Sequence, residues 1–202
     1  MNSTLQNMAR RDAKIMNRSD LTARLVRKLE HGEAVIGGIG STNHDLWVSG
    51  QRPENFYMLG SMGLAVPIAL GVAVAQPERK VIALEGDGSL LMQLGSLGTV
   101  AAEEASNLII IVFDNGVYNI TGGQPTLTSQ QVDLVAIARG AGVSNSEWAK
   151  DESHFEQLVE RALKEDGPCF IATRTDRKLA PGFSEFNPTK IRHNFMLGIG
   201  AA

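Results

Sequence analysis

The sequence predicts an α/β fold, a doubly wound parallel sheet with helices on both faces. Three observations carry that reading. Short apolar runs alternate with helix-length segments along most of the chain. One run, Leu-Ile-Ile-Ile-Val-Phe at 108–113, is apolar at every position, as a strand buried on both faces requires. Three of the runs also end in turns rich in glycine or small polar residues, where open parallel sheets bind their ligands.

Taken in order, residues 1–18 are polar and without period, and read as a flexible N-terminal arm. Residues 19–175 form one domain and 176–202 a C-terminal tail. Ser19 or Asp20 can cap a helix whose Leu21, Leu25 and Leu29 recur every four residues, stopped by Gly32. Ala34-Val35-Ile36 is a short strand entering the turn Gly37-Gly38-Ile39-Gly40, and 41–58 reads as loop. Small apolar residues over 62–75 suit a buried helix stopped by Pro77, with room for close packing at an interface. A strand at 80–84, a turn at Gly86-Asp87-Gly88-Ser89 and a helix over 90–105 lead into the strand 108–113. A polar loop fills 114–129, helices follow at 132–139 and 152–164, and the last strand is 168–173.

The chain has 202 residues, 43% of them hydrophobic and 20% charged, enough apolar material for one large core. A formal charge of −3 argues against a nucleic-acid binder, which shows a basic excess. No apolar run reaches the roughly 20 residues that span a bilayer, and the first residues lack the apolar stretch of a secretion signal. The single cysteine, Cys169, excludes an internal disulfide and a cysteine-ligated cluster, so a cytoplasmic protein is expected.

The chemistry is sought at the strand ends. Gly38-Ile39-Gly40 and Gly86-Asp87-Gly88 each lack the third glycine of the dinucleotide fingerprint, and no GxxxxGK[ST] phosphate loop exists. What remains is Asp87 between two glycines at one strand end and Asp114-Asn115 at the next. A carboxylate, an amide oxygen and backbone carbonyls are hard donors suited to Mg²⁺ or Ca²⁺. Glycines before a helix start let amide N–H groups face an anion. The residues alone therefore suggest a metal–diphosphate site across adjacent strand ends.

The same residues carry a resemblance. Gly86-Asp87-Gly88-Ser89, a helix, a strand and then Asp114-Asn115, 28 positions from Asp87 to Asn115, resemble the motif of thiamine-diphosphate-dependent enzymes. Asp114 stands where that motif more often has a first asparagine. The segments 55–65, 86–99 and 121–126 are similar, within the family, to sulfopyruvate decarboxylases (small, beta-type subunit) and to phosphonopyruvate decarboxylases. The resemblance implies a thiamine-diphosphate-binding fold with Asp87, Asn115 and the Val117 carbonyl as Mg²⁺ ligands. Gly86, Gly88, Ser89, Tyr118 and Asn119 fall in the implied cofactor-binding turns. Gly60-Ser61-Met62 would hold the aminopyrimidine, with the Gly60 carbonyl accepting from its amino group and Met62 forcing the bent cofactor shape. Without the resemblance, Met62 is equally a core methionine.

The implied activity is decarboxylation of a small anionic 2-oxoacid, 3-sulfopyruvate first, giving sulfoacetaldehyde and CO2. Phosphonopyruvate decarboxylation, carboligation of the acetolactate-synthase kind and a non-catalytic cofactor-binding module are the alternatives. In the family a glutamate on a pyrimidine-binding domain activates the cofactor. The length leaves no room for that domain here, so an alpha-type partner subunit is expected to supply it, and Glu85 is read as supporting structure. Thr121 lies where the family shields the reacting carbon. His44, with Ser41, Thr42 and Asn43, can face substrate from the loop after the first strand, where related decarboxylases carry an arginine instead. His31, His154, His193 and Cys169 are read as structural.

Overall fold

The computed structural model describes residues 9–202. Six strands form one parallel sheet: β1 (Ala34–Gly37), β2 (Asn55–Tyr57), β3 (Val81–Gly86), β4 (Leu108–Asp114), β7 (Asn145–Trp148) and β8 (Cys169–Arg174). Their spatial order is β2-β1-β3-β4-β8-β7, so the doubly wound parallel expectation holds. A two-stranded ribbon, β5 (Val117–Tyr118) with antiparallel β6 (Gln124–Pro125), stands apart from the sheet.

The helices are α1 (Arg18–Val26), α2 (Ser41–Ser49), α3 (Ala65–Ala75), α4 (Asp87–Leu91), α5 (Gly95–Glu103), α6 (Leu134–Gly140), α7 (Glu152–Lys164) and α8 (Pro188–Gly198). They cover both sheet faces because alternate residues of each strand point to opposite sides. On β4, Leu108, Ile110 and Val112 pack with α3, α5 and α6, against Val66, Ala69, Leu97, Val100, Leu134 and Ala138. Ile109, Ile111 and Phe113 pack with α1 and α7, against Leu21, Leu25, Phe155, Leu158 and Val159. Every residue of β4 is buried, which is why its sequence shows no polar alternation.

Several elements differ from the sequence expectation, each for a physical reason. The stretch 41–58, expected as loop, contains α2 and β2. Its helix buries polar residues, Thr42, Asn43 and Asp45, so no apolar period marks it. Its strand has three residues at the sheet edge, too few for alternation to show. The turn expected at 86–89 is the start of α4, and the helix expected over 90–105 is broken into α4 and α5. Met92 N–H bonds to the Ser89 carbonyl and Gln93 N–H to Leu90, tightening the turn and ending α4 before Gly95. Asn17, two or three residues earlier than Ser19 or Asp20 would place it, caps α1 by accepting from Asp20 N–H.

The two chain ends are bound to the sheet's carboxyl edge and flank. Residues 1–8 of the expected arm lie outside the described residues. From there Arg10 bonds Asp114, Lys14 N–H bonds the Lys150 carbonyl, and buried Met16 bridges in parallel to Thr175. In the tail, α8 turns back so that Phe195 meets Phe56 edge-on at 5.4 Å, while Phe183 and Phe186 stay exposed. Among the described residues no helix is long and apolar enough to cross a membrane.

Candidate active site

The chain leaves β1 toward β2 on one side and returns to β3 on the other, so the strand order reverses between β1 and β3. A crevice opens at the carboxyl ends of strands at such a switch point. Here one cleft is lined by Ile39, Ser41 and Thr42 after β1, by Gly86 to Ser89 after β3, and by Asn115 to Thr121, except Gly116, after β4. Three turns distant in sequence thus line one cleft.

Close approach of backbone makes the cleft possible. A Cβ at Gly88 would sit 2.3 Å from Tyr118 Cε1, and one at Gly38 2.5 Å from Glu85 Oε1 and 2.8 Å from the Leu84 carbonyl. Gly38 N–H also bonds that Leu84 carbonyl at 2.7 Å, locking the first turn to β3. Ser89 accepts from Gly63 N–H at 2.6 Å, which ties the 60–63 segment to α4 and brings Met62 to the cleft wall.

Asp87 is the buried acid of the cleft. Its Oδ2 accepts from Thr126 Oγ1 at 2.5 Å and Thr128 Oγ1 at 2.8 Å. Burial raises its pKa first, and the nearby charge of Asp114 raises it further. It has no ion pair among the described residues. Asn115 turns its Oδ1 to Val117 N–H at 2.9 Å, which shapes the turn that presents the Val117 carbonyl. No three His, Cys, Asp or Glu side chains converge on a metal site among the described residues. One carboxylate, one amide oxygen and one carbonyl is nonetheless a donor set for a hard cation that keeps other positions for phosphate and water. A buried carboxylate lacking a counter-cation fits such an ion.

Of the residues singled out in the sequence, Met62, Gly86, Asp87, Gly88, Ser89, Asn115, Val117, Tyr118, Asn119 and Thr121 line this cleft. Gly60 and Ser61 are exposed and do not line it. His44 is not brought in. From α2 its ring lies edge-on to Phe183 (5.1 Å) and Phe186 (6.0 Å), and its Nδ1 accepts from Ser184 N–H at 3.0 Å. Burial lowers its pKa, so it holds the tail as a neutral ring and does not face the cleft. Glu85 is fully buried behind the cleft, at 3.3 Å from Ala65 N–H, and desolvation carries its pKa up to about 7.

Sequence reasoning missed Arg10, Arg18, Thr126 and Thr128. Arg18 lines the cleft, held by Asp45 at 2.5 Å and by the Lys178 carbonyl at 2.8 Å. The string Thr126-Leu127-Thr128 gave no signal, because its burial runs opposite to its hydrophobicity: the threonines are buried and the leucine exposed.

Residues 38–173 match the thiamine pyrophosphate enzyme C-terminal TPP-binding domain. The chain belongs to that family. The sulfopyruvate decarboxylase subunit beta of Methanocaldococcus jannaschii is 36% identical over 185 residues, 90% of this chain and 96% of that one. The phosphonopyruvate decarboxylase of Streptomyces hygroscopicus is 38% identical over 174 residues, 85% of this TPP-domain chain but 43% of its own length. A solved Mycobacterium smegmatis structure, described as a thiamin diphosphate-dependent enzyme, superposes with a TM-score of 0.70 at 25% identity. That superposition covers 80% of this chain and 32% of the other.

Proposed function

We propose that this chain is the diphosphate-binding subunit of a thiamine-diphosphate- and Mg²⁺-dependent decarboxylase. Its substrate is a small anionic 2-oxoacid, 3-sulfopyruvate first and phosphonopyruvate second. The observation that carries the reading is the placement of Asp87, Asn115 and Val117, from two adjacent strand ends, on one cleft with Met62. The near full-length likeness to a protein named a beta subunit supports a second, alpha-type subunit supplying the cofactor-activating glutamate.

When bound, thiamine diphosphate supplies the nucleophilic carbon and electron sink for loss of CO2. Asp87, the Asn115 amide and the Val117 carbonyl would hold the cation that tethers its diphosphate. The backbone from Gly86 to Ser89 would face that anion, and Gly88 leaves the space for Tyr118 to close the wall. Met62 would support the cofactor's bend, with Gly60 and Ser61 just before it in the chain. Thr121 and Asn119, on the 3₁₀ turn after β5, line the cleft where they would border the cofactor's reacting end. Arg18 is a basic residue lining the cleft, with its charge already paired to Asp45.

The test is reconstitution. The chain purified with an alpha-type subunit, thiamine diphosphate and Mg²⁺ releases CO2 from 3-sulfopyruvate, and the chain alone does not. Full-rate turnover by the lone chain defeats the split-site reading, and faster turnover of phosphonopyruvate moves the substrate to the second choice. An added aldehyde that is consumed would mark a carboligase, and cofactor binding without turnover in any combination a regulatory module. Met62→Ala in the reconstituted enzyme is expected to lower turnover about tenfold or more while cofactor affinity changes little, because cofactor geometry is lost and the metal site is kept. Equal turnover removes Met62 from the site.

A further inference from the structure

We infer that Arg10, outside the stretch that matches the family, is a positioning residue that keeps Asp87 available to the metal ion. The inference rests on the reading of Asp87 as a ligand.

Asp114 ends β4 and is fully buried, one residue before Asn115. Its Oδ1 lies 2.8 Å from Thr128 Oγ1, the same hydroxyl that lies 2.8 Å from Asp87 Oδ2. Two buried carboxylates are therefore joined through one threonine. A hydroxyl has one proton to donate, so it serves one carboxylate and turns a lone pair toward the other. Thr126 Oγ1, 2.9 Å from Thr128, is already directed at Asp87 and does not relieve the shortage.

Arg10 resolves the competition. Its Nε and Nη2 bond the two oxygens of Asp114, at 2.5 and 3.0 Å, and Gly116 N–H gives Asp114 Oδ1 a further bond at 3.0 Å. Asp114 is then satisfied without the Thr128 proton. Both threonine hydroxyls can donate to one oxygen of Asp87, fixing its rotamer with the other oxygen left for a cation. An arginine fork matches a carboxylate as a lysine does not.

Removing Arg10 leaves Asp114 buried and competing for the Thr128 proton, so Asp87 loses its orientation. The probe is Mn²⁺, titrated into the full chain with thiamine diphosphate and read by electron paramagnetic resonance, with a thermal melt of each metal-free variant beside it. Arg10→Met is expected to weaken Mn²⁺ binding about tenfold or more, because the lost orientation of Asp87 outweighs the attraction that an unpaired Asp114 adds for the cation. Asp114→Asn added to Arg10→Met restores it, because the charge that needed Arg10 is gone. Arg10→Lys falls between.

Unchanged or tighter Mn²⁺ binding in Arg10→Met overturns the inference, as does a double variant that binds no better than Arg10→Met. If Arg10→Met does not fold, the comparison of Arg10→Lys with Arg10→Lys/Asp114→Asn decides in the same way. A wild-type chain that takes up no Mn²⁺ overturns the metal-site reading itself, a result distinct from either.

Discussion

Replacing Asp87 by asparagine removes Mg²⁺-dependent binding of thiamine diphosphate and leaves the fold standing. Asparagine keeps the side-chain shape and one acceptor oxygen for Thr126 and Thr128, so the local clasp survives. What is lost is a negative charge in a buried setting, where attraction to a divalent ion exceeds several kcal/mol and its loss costs about a hundredfold or more in affinity. The metal-free variant is expected to be at least as stable as the parent, since a buried charge facing Asp114 is removed. A melt with and without Mg²⁺ and thiamine diphosphate checks both statements. The parent's transition rises with ligand, as binding to the native state requires, and the variant's does not move. An equal rise in the two proteins would take Asp87 out of the metal site. The pH course follows from the raised Asp87 pKa. Protons compete with the cation for its carboxylate, so binding weakens as pH falls, beginning at a higher pH than for an ordinary aspartate.

How much of this was legible in the sequence depends on where each signal resides. β4 announced itself because a strand buried on both faces must be apolar throughout. The helix α7 did so through Phe155, Leu158, Val159 and Ala162, spaced at the helical period. The acid between two glycines and the Asp114-Asn115 turn were legible because each is a local string. α2 was hidden because it spends buried positions on polar residues: Asp45 holds Arg18 and Ser19, and Asn43 reaches the Met58 carbonyl. Arg10 left no trace, since its partner lies 104 residues away and its own neighbourhood is a polar arm. The tail shows the same limit. Phe183, Phe186 and Phe195 look alike in sequence, yet only Phe195 is carried by a helix that faces the sheet edge. The residues that tune a site through long-range contacts are thus the ones a local pattern cannot show.

Replacing Glu85 by glutamine is expected to flatten the protein's stability against pH and to raise it at neutral and alkaline pH. Glu85 is fully buried at the penultimate position of β3, against Gly38, and its pKa stands at about 7 against an ordinary 4.5. Desolvation is the main cause, only partly offset by bonds from Ser89, Gly86 and Ala65. The folded state therefore holds a proton that the unfolded chain releases. Below pH 4.5 the carboxyl is neutral in both states and the contribution is absent. As pH rises from 4.5 to 7 the unfolded chain ionises first, and the fold loses about 3 kcal/mol, the free energy that separates the two pKa values. Glutamine keeps an acceptor for Ala65 N–H and has no charge to bury, so the variant lacks this slope. Urea unfolding in chelator at pH 4.5 and pH 8 measures the difference: near zero at the lower pH, and up to about 3 kcal/mol in the variant's favour at the higher. A parent whose stability does not fall between those values would mean that Glu85 is ionised in the fold, with a counter-charge or water beside it. The cost has a physical context. Glu85 braces the turn after β1 and the start of α3 from the residue before Gly86-Asp87, so the side chain that weakens the metal-free fold also spaces two walls of the cleft. Stability given up beside a site, where polar groups must be held out of water, is the common pattern in enzymes.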